Sequence, residues 1–230
     1  NPSKKIVIMS DSIPVNITFF DYSGKHLTEL PDSFTELNSL VNLSLKENEF
    51  SQFPRQLFLL STLETLDLSK NKLTLCPDSI SSLKNLQALK LSENQITQFG
   101  NGILNLPKLN FLDLSINKIT TIPDKISNLT QLTFLDLRGN DIETLPANLF
   151  RLEKIQSLDL SGNPIDSLSE SIGKLENITN LSLARCNLHS LPASVSTLKK
   201  LRVLMLLDNP LKQEDVDNLK KQMPNTMILF

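Results

Sequence analysis

The sequence predicts an α/β solenoid, in which a parallel β-sheet forms one face of a stack of short repeats and tight turns form the other. One nine-residue pattern recurs every 23 residues without insertion, beginning at Leu40, Leu63, Leu86, Leu109, Leu132, Ile155, Ile178 and Leu201. Its Leu-x-Leu alternation is typical of a short strand with one buried face. Because the spacing is constant, equivalent positions of neighbouring repeats lie side by side, about 4.8 Å apart.

The pattern reads apolar-x-x-Leu-x-Leu-x-x-Asn, and a degenerate copy precedes the eight regular ones. This copy begins at Ile17, with Phe20 and Tyr22 in the two leucine positions and Lys25 in the asparagine position. Residues 17–209 therefore hold nine repeats, numbered one to nine from Ile17. We expect nine parallel strands whose starts are 23 residues apart.

Asparagine occupies the ninth position of seven repeats, at Asn48, Asn71, Asn94, Asn117, Asn140, Asn163 and Asn209. A buried amide has two donors and an acceptor, so it can satisfy turn backbone groups that a parallel solenoid otherwise leaves unpaired. Cys186 takes this position in repeat eight, and we interpret it as a structural residue.

The second half of each repeat predicts a tight outer turn. Repeats such as the fifth carry Leu/Ile-Pro-x-x-Ile-x-x-Leu, in which proline fixes an extended entry and apolar residues follow at steps of three. This spacing suits either a short 3-10 helix or a single α-helical turn. No repeat can bury its own leucines alone, so stability must come from stacking on neighbouring repeats.

The two ends are expected to be caps, because an open solenoid exposes its core there. Residues 1–16 form the predicted N-terminal cap, with a short strand at residues 4–9. Residues 210–230 form the predicted C-terminal cap. A helix beginning near Gln213 has acidic residues first and lysines last, as the helix dipole favours, and residues 226–230 then add a strand to the sheet edge.

Residues 17–209 resemble the leucine-rich repeat proteins, and the 23-residue form is most similar to intracellular proteins of the Ras-binding and scaffold type. The resemblance implies a horseshoe with a concave parallel sheet and short 3-10 or irregular convex turns. It also implies a protein partner, with a small GTPase or the type 1 Ser/Thr protein phosphatase as candidates. The sequence departs from the repeat pattern at Lys25, Gly100, Ser169 and Cys186.

Composition narrows the functional class. The net charge is −2 over 230 residues, which gives no electrostatic reason to expect nucleic acid or an anionic membrane as a partner. Cys76 and Cys186 lie five strand spacings apart, about 24 Å, so both should be free thiols. The absence of disulfide caps favours an intracellular, cytoplasmic protein. We attribute five Asn-x-Ser/Thr triplets to the repeat pattern rather than to glycosylation.

Catalytic chemistry is not expected. His26 and His189 are the only histidines, and seven strand spacings, about 34 Å, separate them. They therefore cannot form one metal site or one acid–base pair. The run Gly100-Asn101-Gly102 lacks the third glycine of a phosphate-binding loop. The sequence predicts no enzyme, no cofactor and no metal.

The concave face carries the candidate binding site, which we call the central patch. Phe111 and Phe134 occupy the third position of adjacent repeats and are expected to be exposed. Exposed aromatic side chains on an open sheet are typical of binding surfaces. Asp113, Asp136 and Asp159 occupy the fifth position of three adjacent repeats and form what we call the aspartate column. Carboxylates about 5 Å apart repel by about 1 kcal/mol even in water, a cost that folding alone does not require. Duplication of a Leu-Asp-Leu repeat is the alternative explanation for this column. The central patch comprises Phe111, Asp113, Phe134, Asp136, Arg138 and Asp159.

A second candidate, the terminal patch, comprises Val203, Met205 and Leu207 on the last repeat. The C-terminal cap, a partner or a second copy of the chain are the three alternatives for what covers it. We interpret the chain as a non-catalytic scaffold or adaptor in signalling that binds a protein through its concave face. Two alternatives stay open: a regulatory subunit of type 1 phosphatase, and the targeting or sensing domain of a larger enzyme.

Overall fold

The computed structural model describes residues 16–230. Ten strands of three residues each form one parallel sheet in chain order. They are β1 (Phe19–Asp21), β2 (Asn42–Ser44), β3 (Thr65–Asp67), β4 (Ala88–Lys90), β5 (Phe111–Asp113), β6 (Phe134–Asp136), β7 (Ser157–Asp159), β8 (Asn180–Ser182), β9 (Val203–Met205) and β10 (Met227–Leu229). The starts of β1 to β9 are 23 residues apart, which confirms the predicted solenoid. The predicted strand at residues 4–9 lies outside the described residues.

Within residues 16–230, the convex side consists of eight short 3-10 helices, as the outer-turn spacing predicts. They span Asp32–Glu36, Arg55–Leu59, Asp78–Ser82, Ile103–Asn105, Asp124–Asn128, Ala147–Arg151, Glu170–Lys174 and Ala193–Thr197. Proline precedes six of them, and five of these prolines are in an extended conformation. Ser169 replaces this proline once, and its hydroxyl accepts a hydrogen bond from the Ser171 amide at 3.1 Å.

Repeat four departs from this pattern because its outer turn packs tightly on repeat three. Gly100 has φ +69°, and a Cβ there would lie 2.9 Å from the Cβ of Cys76. Cys76 stands one position before the proline column, where the other outer turns carry leucine, isoleucine or phenylalanine, so these two exceptions to the repeat pattern contact each other. The 3-10 helix that follows shortens to Ile103–Asn105.

The asparagine column fastens each repeat to the previous one. In repeat five, Asn117 Nδ2 donates to the carbonyls of Leu91 and Leu114, each at 3.0 Å, and its Oδ1 accepts from the Ile96 amide at 2.9 Å. Where Cys186 replaces asparagine, its thiol contacts the Leu160 carbonyl at 3.5 Å. The Ile165 amide has no asparagine partner there and donates to the Asn163 carbonyl at 2.8 Å.

The chain ends in a helix and a strand that close the last repeat. The α-helix spans Gln213–Gln222 and buries Val216 and Leu219 against the core. Glu214 and Asp215 lie in its first turn and two lysines in its last, the arrangement that the helix dipole favours. Strand β10 then pairs in parallel with β9.

Candidate partner-binding surface

The two phenylalanines of the central patch form a stacked pair on the concave face. Strands β5 and β6 place Phe111 opposite Phe134 in register. Their ring centroids lie 4.2 Å apart with an interplanar angle of 1°. Both side chains are half-buried rather than exposed, because each ring covers one face of the other. The expectation of exposed rings was wrong to this extent, although the pair still presents apolar surface to the concave side.

The aspartate column has a structural role that the sequence analysis missed. Asp113 Oδ1 accepts hydrogen bonds from the Ser115 amide at 3.0 Å and from the hydroxyl of the same serine at 2.7 Å. Asp159 makes the same pair with Ser161, at 2.9 and 2.6 Å. Folding therefore does use these carboxylates, which fix the turn after each strand. This corrects the expectation that folding alone does not require the column.

Asp136 is the most constrained member of the column. It is only 6% exposed, and its Oδ1 accepts from the Arg138 amide at 3.0 Å. Burial, together with the carboxylates of Asp159 and Asp113 on either side, raises the pKa of Asp136 to about 6. The predicted repulsion along the column is therefore present, and it falls mainly on this central carboxylate.

The charges of the central patch are incompletely neutralised. Arg138 Nε lies 3.5 Å from Asp136 Oδ2, which is a single ion pair for the column. Within residues 16–230 no cationic group lies within 4 Å of Asp113 or Asp159. Lys90 instead lies over the ring of Phe111, with Nζ 5.9 Å from the centroid. The patch therefore offers an aromatic surface beside two carboxylates that still lack a cation.

The terminal patch is not covered by the C-terminal segment. Met205 and Leu207 remain 37% and 43% exposed, and β10 lays Met227 beside Val203. Met227 is itself 60% exposed. The cap strand therefore widens this apolar surface. Of the three alternatives for what covers the terminal patch, the C-terminal cap is wrong.

Ile116, an exposed side chain near the central patch, was not identified by the sequence analysis. Ile116 lies three residues after Asp113 and is 50% exposed. The missed signal is its column: the eighth position of the other repeats carries only glycine or a charged residue.

The described residues hold no group of three His, Cys, Asp or Glu side chains that suits a metal ion.

Burial raises the pKa of the Cys186 thiol to about 11 and that of Cys76 well above its usual range. Both cysteines are unpaired. His26 contacts Glu49 at 3.1 Å on the exposed surface. In residues 16–230 no helix is long and apolar enough to cross a membrane.

The chain belongs to the leucine-rich repeat proteins. The leucine rich repeat family matches residues 38–96, 61–119 and 100–142, and the family of two-copy leucine rich repeats matches residues 130–174. No curated protein sequence matches the chain significantly. Leucine-rich repeat domains are interaction modules that bind protein partners.

Solved structures share the fold at low sequence identity. A leucine-rich repeat protein from Leptospira interrogans is 32% identical, with a TM-score of 0.90 over 94% of this chain and 55% of that one. Internalin C2 from Listeria monocytogenes is 25% identical, with a TM-score of 0.73 over 85% and 81%. The plant peptide hormone receptor RGFR1, in complex with RGF2, is 30% identical, with a TM-score of 0.66 over 80% and 34%. The chain thus spans about half the length of the Leptospira protein.

Proposed function

We propose that the chain is a non-catalytic interaction domain that binds a protein partner through the central patch. The observation that carries the proposal is the stacked pair of Phe111 and Phe134 beside the incompletely neutralised aspartate column. Aromatic side chains, phenylalanine included, are enriched in protein interfaces, and charged groups beside them can pair with opposite charges on the partner.

The position of the patch supports the same proposal. Strands β5 to β7 lie at the middle of the ten-stranded sheet, where a partner can contact several repeats on both sides. The peptide-bound state of the plant receptor supports a protein ligand for this chain as well.

The class of partner is part of the proposal. The 23-residue repeat form supports a small GTPase as the first candidate, in a cytoplasmic signalling scaffold. Type 1 protein phosphatase is the second candidate, for which the chain would act as a regulatory subunit. The two unpaired, buried cysteines are compatible with the proposed intracellular location. Fractionation of cells that express a tagged chain tests that location, and recovery of the tag in the secreted fraction would contradict it.

A function of another class is favoured by the lengths of the similar proteins. The chain spans 34% of the solved chain of RGFR1, a plant peptide hormone receptor, and 55% of the Leptospira protein. On this alternative, the same central patch is the sensing surface of a larger protein. The full reading frame distinguishes the alternatives, since a catalytic domain in the same frame would support the sensing role.

The central test is a double substitution, Phe111→Ala with Phe134→Ala. The partner is first identified by affinity purification and mass spectrometry, and its affinity is then measured by isothermal titration. We expect a loss of about 2 kcal/mol or more in binding free energy. Because the rings are half-buried and stacked, the free energy of unfolding should fall by only about 1 to 2 kcal/mol.

The matched control is Asn42→Ala with Thr65→Ala, which changes the same column on the adjacent strands β2 and β3. This variant should bind as the wild type does. Unchanged affinity of the phenylalanine variant would contradict the proposal. In that case a loss of binding on substitution of Met205 and Leu207 would assign the site to the terminal patch.

A further inference from the structure

Ile116 occupies a backbone conformation that its side chain disfavours. The eighth position of all nine repeats is left-handed, with φ between +53° and +66°. Three of these positions are glycine, and five others carry residues that are not β-branched. Ile116, with φ +53°, is the one β-branched residue among them. A β-branched residue in this region is an outlier, and such strain is concentrated at functional sites.

Packing does not explain why isoleucine is present. The side chain is 50% exposed, so it contributes little to the core while it retains the strain. The next two residues of its column are Gly139 and Gly162, which leave the adjacent surface without side chains. A Cβ at Gly139 would lie 3.5 Å from Ile116 Cγ1, so Ile116 borders directly on this open strip.

The strip lies beside the aspartate column of the same repeats. Asp113 and Ile116 belong to repeat five, and Asp159 and Gly162 to repeat seven. The fifth, seventh, eighth and tenth positions of repeats five to seven hold four carboxylates, Asp113, Asp136, Asp141 and Asp159, and only two cations, Lys118 and Arg138. This excess of negative charge is complementary to a basic group.

We propose that Ile116 contacts the partner, and that the site accepts a protein segment in which an apolar side chain stands next to a basic one. The apolar side chain packs on Ile116 and the open strip, and the basic one pairs with Asp113 or Asp159, which lie on either side of the Asp136–Arg138 ion pair. This inference rests on the proposed function of the central patch and adds the chemistry of what is bound. The terminal patch is also exposed, but it has neither strain nor unpaired charge to define its ligand.

The probe is a phage-displayed library of random dodecapeptides, selected on the immobilised chain. Synthetic copies of the enriched peptides are titrated against the wild type and three variants. Ile116→Asn replaces isoleucine with a residue that tolerates the left-handed conformation. Glu93→Asn introduces asparagine at the equivalent position one repeat earlier, where φ is +54°. Phe111→Ala with Phe134→Ala reports on the central patch.

We expect the enriched peptides to combine lysine or arginine with an apolar residue. Ile116→Asn should weaken their binding at least tenfold and melt at the same or a higher temperature than the wild type. Glu93→Asn should bind within twofold of the wild type. Weaker binding without a loss of thermal stability distinguishes a contact residue from a structural one.

Two results would overturn the inference while the proposed function stands. One is wild-type affinity for Ile116→Asn alongside lost binding for the phenylalanine variant. The other is enrichment of peptides that lack basic residues. Wild-type affinity for both variants, or no enrichment above an uncoated support, would count against the inference and the central patch together.

Discussion

The N-terminal and central parts of the concave face have the same backbone arrangement but differ in how many of their carboxylates are paired with a cation. On repeats two to four, the corresponding four positions hold four carboxylates, Glu47, Glu49, Asp67 and Glu93, and four lysines, Lys46, Lys70, Lys72 and Lys90. Every carboxylate of this group has a cation within 4.0 Å. On repeats five to seven, Asp113 and Asp159 have none among the described residues. The first region neutralises itself, whereas the second leaves charge for a partner to neutralise.

Folding and recognition therefore depend on different columns of the repeat. The leucine and asparagine columns are almost the same in both regions, so they account for the solenoid and carry no information about the partner. The exposed columns differ, and the third, fifth and eighth positions are the ones that carry the candidate site. Function is therefore assigned where the surface deviates from the repeat, at the phenylalanine pair, the aspartate column and Ile116.

The largest expected effect tests whether both regions depend on one continuous core. Deleting residues 211–230 removes five buried apolar side chains, Leu211, Val216, Leu219, Met223 and Ile228. At roughly 1.5 to 3 kcal/mol each, the loss should reach at least about 7 kcal/mol and lower the melting temperature or the solubility. Thermal unfolding with size-exclusion chromatography measures it. A monomeric truncated chain with an unchanged melting temperature would show that the segment is not a cap.

The next effect tests whether the interiors of the two regions are equivalent. Leu66 and Leu135 occupy the same column, and both are fully buried. Replacing either with alanine should lower the free energy of unfolding by about 2 to 5 kcal/mol, because each leaves a cavity of similar size. Chemical denaturation measures both. A cost confined to one variant would mean that the regions differ in their cores as well as at their surfaces.

The aspartate column predicts a smaller effect with the opposite sign. The pKa of Asp136 is raised to about 6 from 3.8, so its ionisation at pH 7 costs stability. Two pKa units correspond to about 3 kcal/mol, and Asp136→Asn should recover about 1 to 3 kcal/mol because its amide oxygen can still accept from Arg138. For the wild type, stability from this group is greatest below pH 4 and declines as pH rises through 6.

Denaturation of the wild type and Asp136→Asn between pH 4.5 and 7.5 tests this prediction. The difference between the two should shrink as the pH falls. Asp67→Asn is the matched control in the self-neutralised region, where Lys90 Nζ lies 4.0 Å away, and it should give no stabilisation. Stabilisation of both variants, or of neither, would remove the electrostatic distinction between the regions.

The smallest effect concerns the ion pairs of the N-terminal region. Lys70 Nζ lies 3.1 Å from Glu47 and 3.9 Å from Glu93, and the three side chains are 40 to 50% exposed. Exposed pairs contribute about 0 to 1 kcal/mol, so Lys70→Ala should lower stability by less than about 1 kcal/mol and leave partner binding unchanged. Parallel titration and denaturation check both statements. A tenfold loss of affinity would extend the binding site into this region.

The repeat arithmetic was sufficient to predict the fold. The spacing alone predicted the positions of β1 to β9 and of the outer turns. The charge pattern predicted the helix that begins at Gln213. The departures were also visible as sequence exceptions, but their reasons were not. The contact that joins Cys76 and Gly100 depends on the distance between two adjacent turns, which no single repeat encodes.

The candidate site was only partly predictable. Column membership brought Phe111 and Phe134 together, yet it could not show that their rings stack and are half-buried. It also could not show that the aspartates bind the amides two residues later, since that bond depends on the turn geometry. Ile116 is visible in the sequence as the one large apolar residue of its column, but the left-handed φ angle that gives this exception its significance is known only from the structure.

Hydroxyl-radical footprinting of the complex tests the central claim most directly, because phenylalanine and methionine at both candidate patches are oxidised and read in one experiment. The partner is added at saturation, and oxidation is quantified by mass spectrometry for each peptide. We predict that the partner protects Phe111 and Phe134 and leaves Met205 and Met227 as reactive as in the free chain. Protection of Met205 and Met227 with unchanged oxidation of the two phenylalanines would contradict the account.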